Sequence, residues 1–475
     1  MKLYEPIIGL EIHLETKTKT KMFSDAPINF DAGPNTMVTS LDLGEPGSLP
    51  TVNKQAVAKA IQMCSALHME IDPVLRFDRK NYFYADLPKG FQITQQEFPI
   101  GKGGYVIIYS EDGEPMHIDL ERLHMEEDTA KQIHFADYTL LDFNRAGTPL
   151  VEIVTKPVIR SGYQAMKYVE KIRAIAQYLD ISDGKMEEGS LRCDVNISLR
   201  EVGVEKFGTK VEIKNLNSIA NVRKAIEFEI ERQTEILNNG ELVAQETRRF
   251  DEGKRSTILM RLKTDAVDYK YFREGNILPI KLSTAFIIKT INTTAETPDM
   301  KYGRYTNVYK LSHLEAVKLI ENQEMALFFD SIANLTEYYQ IASNFIKGEV
   351  SAYINSNEIS FDTLPISKDS LACIIDLIGS GRINNKTARE IFAKALTGEN
   401  PYTLYEETLK DCLSPEELEI TIKETLDSNQ QSVEDYKNGR DRAFGFLVGQ
   451  IMKKTQGKAD PQLTNQILKT ELAKR

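Results

Sequence analysis

Alternation of apolar and polar residues is the feature that most constrains the fold of this chain. Every second residue is apolar in LRCDVNISLR, residues 191–200, and in IGLEIHLE, residues 8–15. Successive side chains of a β-strand point to opposite faces, so each segment predicts a strand with one buried and one polar face. A further strand is predicted at 210–218, and helices are predicted at 52–69 and 161–180. Many such strands with few helices predict an α+β domain on an antiparallel sheet.

The polar face of the first predicted strand is a candidate metal site. It presents Glu11, His13 and Glu15, a carboxylate, an imidazole and a second carboxylate. Side chains two residues apart on a strand can converge on one cation, and a mixed set of this kind suits Mg, Mn or Zn. The alternative is a solvated face without function, because antiparallel sheets commonly expose one face to water.

Glu152 lies within an apolar segment, LVEIV at 150–154, whose pattern predicts a short buried strand. An unpaired buried charge costs several kcal/mol, so this carboxylate should be protonated, paired with a cation or bound to a metal. A structural ion pair with Arg145 and an exposed edge strand are the alternatives, and both stay open from this segment alone.

Three consecutive carboxylates follow His124 in the segment LHMEED, residues 123–128. Adjacent carboxylates repel one another unless they are solvated or bridged by a cation. The segment is therefore either an exposed acidic turn or the end of a strand that faces a metal.

Basic and aromatic residues are interleaved in FDRKNYFYADLPKGFQITQ, residues 77–95. Such a mixture suits a ligand with both a phosphate and a ring, such as a nucleotide, through ion pairing and stacking. The alternative is a hairpin whose aromatic residues belong to the core.

The pattern becomes helical from about Thr293 onward, and a Gly/Asn/Pro break at 398–401 precedes a tail of short helices. The sequence therefore predicts three domains, at 1–292, 293–400 and 401–475. Asp460 followed by Pro461 predicts the start of the last helix.

Composition limits the classes of function. The net charge of -11 predicts no general affinity for polyanions, so a nucleic-acid contact requires a local basic patch. No apolar run approaches the roughly 18 residues of a membrane span, and MKLYEPIIGLEIH lacks the pattern of a signal peptide. The four cysteines lie far apart without a CxxC pair, which argues against a zinc site and a disulfide scaffold. A cytoplasmic protein with reduced thiols, and no membrane partner, is expected.

Several catalytic motifs are absent from the sequence. No Gly-Lys pair has the surroundings of a P-loop, and no GxGxxG or GxSxG motif occurs. Any nucleotide site is therefore unconventional, and acyl-serine chemistry is not expected of this chain.

The motifs closely resemble those of one known family. LDFNRAGTPLVEI matches the signature of the family formed by the B subunits of aspartyl/glutamyl-tRNA amidotransferases, and LEIH, FDRKNYFY, LHMEED, KMEEGSLRCDVNISLR, KVEIKNLNS, QETRRFD and GFLVGQIMK resemble family blocks in the expected order. The resemblance covers nearly the whole chain. It implies an N-terminal cradle domain on an antiparallel sheet, an all-α helical domain and a small helical tail domain that binds tRNA.

The resemblance also implies an activity. Members of the family use ATP and Mg²⁺ to phosphorylate the side-chain carboxylate of Glu or Asp mischarged on tRNA(Gln) or tRNA(Asn), and ammonia then displaces the phosphate. The ammonia comes from an amidase (glutaminase) partner, and a small third partner completes the heterotrimer. The competing hypothesis is a non-catalytic tRNA-binding adaptor whose polar strand faces are merely solvated.

Site residues follow from the resemblance, motif by motif. Glu11, His13, Glu127 and Glu152 are the expected catalytic residues. The expected Mg²⁺ ligands are His13, Glu127 and Glu152, with Asp194 nearby, and ATP is expected at Lys80 and Tyr82.

The tail carries the basic patch that tRNA binding requires. From Glu434 to Arg475 the chain has nine basic and five acidic residues. The expected tRNA-binding residues are Lys437, Arg440, Arg442, Lys453 and Lys454. A solvated helix face is the alternative, because charge runs usually are solvated.

The chain departs from the family pattern in one block. A Tyr-Phe-Pro-Glu-Pro-Asp motif is replaced by YFREGNILP, residues 271–279. This replacement puts in doubt the local turn and any role of an acid there. Ala85 also stands where the family often has Pro.

Overall fold

The computed structural model describes residues 3–262, 268–410, 413–440, 442–455 and 458–475. The prediction that Cys412 is a reduced thiol therefore lies outside the described residues. The strands are β1 Tyr4–Glu15, β2 Glu70–Ile71, β3 Val74–Leu75, β4 Asp78–Asn81, β5 Phe91–Thr94, β6 Gly101–Lys102, β7 Tyr105–Tyr109, β8 Pro115–Glu127, β9 Lys131–His134, β10 Thr139–Asp142, β11 Pro149–Thr155, β12 Leu191–Glu201, β13 Val211–Lys214, β14 Glu246–Asp251, β15 Ser256–Leu262, β16 Phe272–Arg273 and β17 Ile280–Lys281. The α-helices are α1 Lys54–Ala66, α2 Gly162–Tyr178, α3 Ile219–Asn238, α4 Thr284–Asn292, α5 Pro298–Asn307, α6 His313–Ile320, α7 Gln323–Ala333, α8 Tyr339–Phe345, α9 Ser351–Asn357, α10 Lys368–Gly379, α11 Asn385–Ala395, α12 Pro401–Lys410, α13 Pro415–Ser428, α14 Gln430–Lys437, α15 Arg442–Lys454 and α16 Pro461–Lys474.

The α+β prediction is confirmed: a sheet-based part is followed by a helical part. The large sheet has the strand order β15-β14-β13-β12-β1-β11-β8-β6-β2, and β7 pairs with β8. Its described strand pairs are antiparallel except β13 with β14, which run parallel because α3 and a loop connect them. The predicted antiparallel sheet is therefore a mixed sheet.

One face of this sheet is apolar and packs against helices. Ile8, Leu10, Ile12 and Leu14 from β1 are fully buried in a core that also includes residues of α1, α2 and α3. The side chains between them on the strand necessarily face the other way, so the second face of the same sheet is left for polar groups.

Short polar residues cap several helix starts. Ser161 caps α2 by accepting a hydrogen bond from the backbone N–H of Gln164, and Ser218 caps α3 in the same way. Asp460 caps α16 with Pro461 in its first turn, as predicted. These short polar side chains satisfy backbone donors that have no partner within the helix.

The chain divides into two compact units, which meet in sequence at Pro298 and Asp299. The second unit has two separate cores, one built from residues 305–405 and one from residues 418–472. These boundaries lie close to the predicted ones, and the three-domain division stays a prediction. Among the described residues no helix is both long and apolar enough to cross a lipid bilayer.

Candidate metal centre and nucleotide corner

The polar face of the large sheet gathers the side chains that the sequence singled out. In the register of the sheet, Glu152 of β11 lies between His13 of β1 and His124 of β8. On the other side of β1, Glu11 lies opposite Asp194 of β12. Directly opposed residues on neighbouring strands share a face, so these groups form one polar surface.

Three side chains of this polar surface, including Glu126 of β8, converge closely enough to hold one ion. His13 Nε2 lies 3.3 Å from Glu152 Oε2 and 3.6 Å from Glu126 Oε1. One ligand atom from each of His13, Glu126 and Glu152 lies within 4.8 Å of the other two. His124 Nε2 adds a contact of 3.0 Å to Glu152 Oε2. We call His13, Glu126 and Glu152 the metal cluster.

The donor set of the metal cluster fits a small divalent cation. Two ligands at right angles on an ion, with bonds of about 2.1–2.3 Å, lie about 3.0–3.3 Å apart. The observed contacts of 3.3 and 3.6 Å are close to that spacing. Two carboxylates and one imidazole suit Mg²⁺ or Mn²⁺, although an imidazole in the set also admits Zn²⁺.

Electrostatics explain how the buried carboxylate of Glu126 and the partly buried carboxylate of Glu152 coexist at this position. Burial opposes ionisation of Glu152, but the adjacent His124 and His13 hold the pKa of its carboxyl well below the usual range. Burial would likewise lower the pKa of His124, but the charge of Glu152 and hydrogen bonds to Glu126 and Glu152 raise it to about 9. Without a cation, the adjacent histidines therefore offset the charge of the carboxylates, and a bound cation would take over that role.

The alternatives for Glu152 are resolved by its neighbours. Arg145 does not pair with it: the Arg145 Nε lies 3.6 Å from Asp128 Oδ2 and donates to the carbonyl oxygen of Thr129. Glu152 also belongs to a central strand of the sheet, with partners on both sides, so it does not lie on an edge. Its cationic partners are His13 and His124.

The acidic segment at 126–128 is the end of a strand and not an exposed turn, since all three carboxylates are buried. The alternation of β8 puts Leu123 and Met125 into the core, so His124 and Glu126 face the metal cluster. Glu127 points elsewhere: Lys89 Nζ lies 2.5 Å from its Oε1, which also accepts from the backbone N–H of Ile93. The structure thus places Glu126, not Glu127, beside His13, and the ligand role of Glu127 stays a prediction.

Asp194 and Glu11 lie on the same face next to the metal cluster but outside it. Asp194 forms an ion pair with Lys214, whose Nζ also lies 3.2 Å from Glu212. The Asn196 amide donates to Glu11 at 2.8 Å. Burial and the carboxylates of Glu152 and Asp194 raise the pKa of Glu11 above its usual value. The predicted roles of Glu11 and Asp194 stay predictions, now with Lys214 as a neighbour.

The basic and aromatic segment at 77–95 forms β4, a loop and β5. Lys80 Nζ lies 5.0 Å from the centre of the Tyr269 ring and 5.7 Å from that of Tyr82. In the part of the chain that the structure describes, Lys80 has no carboxylate partner. Burial, followed by the carboxylates of Glu126 and Asp86, raises the pKa of Tyr82. We call Lys80, Tyr82 and Tyr269 the nucleotide corner; the assignment of ATP to it stays a prediction.

The altered block at 271–279 has a structural acid. Glu274 is buried and receives two hydrogen bonds from Arg79, at 2.5 and 3.1 Å. It also accepts from the backbone N–H of Asn276. This pair joins the short strand β16 to β4, so the turn is held despite the replaced prolines.

The tail patch belongs to the second unit. All five predicted tRNA-binding side chains are exposed. Arg440 is paired with Asp435 and Lys454 with Glu424, whereas Arg442 and Lys453 have no carboxylate partner among the described residues. Gly445 and Gly449 lie on the same exposed side of α15, and no atom lies within 4 Å of a Cβ added to either.

The sequence motifs identified only part of the polar face. The segment LHMEED contains His124 and Glu126, and alternation along β8 adds Arg122 on the same side. The Arg122 Nε is buried without a hydrogen-bond partner among the described residues. Lys214 carried no comparable signal, because its partner Asp194 lies on another strand.

Comparison with known proteins agrees with this architecture. The model of the "GatB/GatE catalytic domain" matches residues 6–288, and that of the "GatB domain" matches residues 327–472. The chain therefore belongs to the GatB family.

The most similar relatives are proteins of one kind. The chain is 47% identical over 474 residues to the B subunit of the aspartyl/glutamyl-tRNA(Asn/Gln) amidotransferase of Macrococcus caseolyticus (strain JCSC5402). It is 48% identical to the protein of the same name from Staphylococcus aureus (strain bovine RF122 / ET3-1). Each alignment covers 99% of this chain and 100% of the relative.

Replacement of Glu152 by Gln tests the metal cluster. The amide is nearly isosteric but has no charge, so affinity for Mn²⁺ or Mg²⁺ should fall by about 10- to 100-fold or more while the circular dichroism spectrum stays unchanged. Titration calorimetry measures the affinity. The exposed Glu114 on the β7–β8 turn supplies the control, Glu114→Gln, which should bind normally. Equal affinity in Glu152→Gln and the control would contradict the assignment.

His124 should make the metal-free protein sensitive to pH. Its folded-state pKa of about 9 exceeds the usual 6.5, so its protonation stabilises the fold fully below about pH 6.5, and this contribution is lost as the pH rises through about 9. In EDTA, the melting temperature of His124→Gln should lie several degrees below that of the natural protein at pH 6.5. The gap should narrow at pH 9.5. A gap independent of pH would show that His124 is neutral in the fold.

Proposed function

We propose that this chain is the activating component of a tRNA-dependent amidotransferase. It uses ATP and Mg²⁺ to phosphorylate the side-chain carboxylate of Glu on tRNA(Gln), of Asp on tRNA(Asn), or of both. Ammonia then converts the activated group into the amide. The activity operates in the cytoplasm, within a heterotrimer that includes an amidase (glutaminase) partner and a small third partner.

The observation that carries this proposal is the metal cluster on the polar face of the large sheet. Its two carboxylates and its imidazole lie within the residues that match the catalytic-domain model. Phosphoryl transfer requires positioning and charge neutralisation more than covalent participation of the protein. The cluster supplies a place for the neutralising ion, and the nucleotide corner supplies a cation and rings beside it.

Activation by ATP follows from the chemistry of a carboxylate. A carboxylate has no leaving group that ammonia can displace, whereas an acyl phosphate has one. In the first step an oxygen of the substrate carboxylate takes the γ-phosphoryl group, and ADP leaves. In the second step the nitrogen of ammonia bonds to the carbonyl carbon, phosphate leaves, and a proton is lost.

The side chains of the polar face divide these tasks. His13, Glu126 and Glu152 would hold Mg²⁺, and the ion would neutralise charge on the phosphates of ATP. Lys80 has no carboxylate partner among the described residues, so its ammonium is free for a phosphate oxygen. Arg122, on the same side of β8 as the cluster, offers a buried Nε for a second charged contact.

The source of ammonia lies outside this chain. The sequence has no serine-nucleophile motif, and burial raises the pKa of the Cys64 and Cys193 thiols, which disfavours the reactive thiolate. Glutamine hydrolysis is therefore assigned to the partner amidase. A purely adaptor role is not favoured, because a solvated face gives no reason for gathering the carboxylates of Glu126 and Glu152 against two histidines.

The division of labour can be tested with ammonium. Purified alone, the chain should hydrolyse no glutamine. The assembled complex, with the amidase nucleophile removed, should still form Gln-tRNA(Gln) or Asn-tRNA(Asn) from the mischarged tRNA, ATP and ammonium, releasing ADP. Glu152→Gln in the same complex should stop ADP release and amide formation together. Amide formation without release of ADP, or glutaminase activity of the lone chain, would contradict the proposal.

The tail patch should contribute phosphate contacts. Replacing Arg442 and Lys453 by Gln should weaken tRNA binding by the complex and reduce its log-log salt slope by about one to two units, because each phosphate contact adds roughly one unit. The double replacement Lys386→Gln and Lys394→Gln on α11 is the charge-matched control in the same unit. Filter binding over a salt series measures both. Identical salt slopes in the two variants would show that the tail patch does not contact tRNA phosphates.

A further inference from the structure

Two aromatic side chains project into solvent from the loop between β4 and β5. Phe83 is 90% exposed and Tyr84 is 62% exposed. Transferring a large apolar ring out of water is favourable, so a soluble surface gains nothing from displaying one without a partner. We call Phe83 and Tyr84 the aromatic rim.

The loop that carries the aromatic rim is well braced. The backbone N–H of Tyr82 donates to the carbonyl oxygen of Gly90 at 3.2 Å, which closes the loop, and the N–H of Leu87 donates to the carbonyl oxygen of Tyr84 at 3.1 Å. A Cβ built on Gly90 would lie 3.2 Å from Phe83 Cε1, so the ring of Phe83 rests directly on the glycine backbone. Gly90 also has a φ of +77°, which disfavours any replacement. Phe83 therefore lies against Gly90 with most of its surface open to solvent.

The loop is attached to the strand end that bears the metal cluster. Lys89 of the loop pairs with Glu127, the residue after Glu126 of the cluster. The backbone N–H of Ala130 donates to the carbonyl oxygen of Asp86 at 3.0 Å. The aromatic rim is thus fixed relative to the end of β8.

A row of rings leads from the aromatic rim toward the metal cluster. Tyr84 contacts Tyr82 at 6.0 Å between ring centres, Tyr82 contacts Tyr269 at 5.9 Å, and Tyr269 contacts Tyr271 at 6.1 Å. The Asn81 side chain donates to the carbonyl oxygens of Tyr269 and Lys270, which fixes the inner part of this row. The Thr94 hydroxyl on β5 donates to Glu126 Oε2 at 3.4 Å, and β5 pairs with β4, so the strands that carry the row lie beside the metal cluster.

We propose that Phe83 and Tyr84 stack on the base of the 3′-terminal nucleotide of the RNA substrate and so hold the amino acid it carries over the metal cluster. This inference rests on the proposed function and names the subsite for one part of its substrate. Lys80, which lies over the Tyr269 ring, provides positive charge close to the path of the RNA end. This local charge matters because the net charge of the chain is -11.

The exposure of the rings identifies the occupant. A small ligand such as ATP is usually enclosed, with 70–90% or more of its surface buried. A ring that is 90% exposed suits instead the end of a polymer that arrives from solvent. Aromatic side chains beside basic groups are the usual platform for single-stranded nucleic acid, because every base has a face that can stack. A protein partner on this surface is the alternative that the experiment must separate.

The test uses the assembled complex and tRNA with 2-aminopurine in place of the terminal adenine, since stacking quenches the fluorescence of this base. Binding should quench it, and Phe83→Ala should abolish the quenching. In the same variant the KM for mischarged natural tRNA should be about 5- to 150-fold higher, which is the range of one base–aromatic stack. Its kcat and its KM for ATP should stay unchanged. Phe83→Tyr should restore both signals.

Phe207 provides the matched control. It is 54% exposed and lies beyond the end of β12, where Arg200 pairs with Glu5, about 26 Å along β1 from His13 at roughly 3.3 Å per residue. Phe207→Ala should behave like the natural protein.

Three results would overturn the aromatic rim proposal: retained quenching in Phe83→Ala, an increase confined to the KM for ATP, or loss of the partner proteins from the purified Phe83→Ala complex. Failure of the proposed function gives a different result. In that case the natural complex itself forms no amide from mischarged tRNA and ATP, whatever residue stands at position 83.

Discussion

The arrangement of Glu152 between two histidines is the interaction on which the functional surface depends. A carboxylate in the centre of a ten-stranded sheet is tolerated only because His13 and His124 approach its oxygens at 3.3 and 3.0 Å from the two neighbouring strands. Removing either partner of such a buried pair leaves an uncompensated charge, which costs more than the pair itself contributes. The register of β8, β11 and β1 therefore determines which charged side chains meet at the site. The same carboxylates can also bind a cation.

The two faces of the sheet have different roles: the apolar face stabilises the fold, and the polar face carries the functional groups. Its apolar face packs against α1, α2 and α3 and forms the core of the first unit. Its polar face carries carboxylates, histidines and lysines in rows that cross at least five strands, from Glu126 on β8 to Lys214 on β13. Because alternate residues of each strand serve the two faces, one pattern in the sequence specifies both. A shift of one residue in any of these strands would exchange the faces, so catalysis and folding constrain the same register.

Sequence alone located much of this arrangement, and the limits have physical causes. Alternation predicted β1 and β12, Asp460 followed by Pro461 predicted the start of α16, and the isolated carboxylate of Glu152 pointed to a cation or metal. The partners of Glu152 were not predictable from local sequence, because strand pairing brings His13 and His124 to it. His13 lies more than a hundred residues away in the chain. The position of Glu126, rather than Glu127, beside His13 follows from the phase of β8, which family motifs do not state. The parallel pair β13 and β14, and the role of Glu274 as partner of Arg79, likewise depend on contacts that are distant in the chain.

The central claim is that His13, Glu126 and Glu152 hold one divalent ion. Mn²⁺ binds such a site in place of Mg²⁺, and its electron spin echo reports directly coordinated nitrogen. The account predicts one nitrogen coupling in the Mn²⁺ complex of the natural protein, its loss in His13→Gln, and a weakened ion in Glu126→Gln but not in Glu127→Gln. Absence of nitrogen coupling in the natural protein, or loss of the ion in Glu127→Gln with Glu126→Gln unaffected, would contradict it.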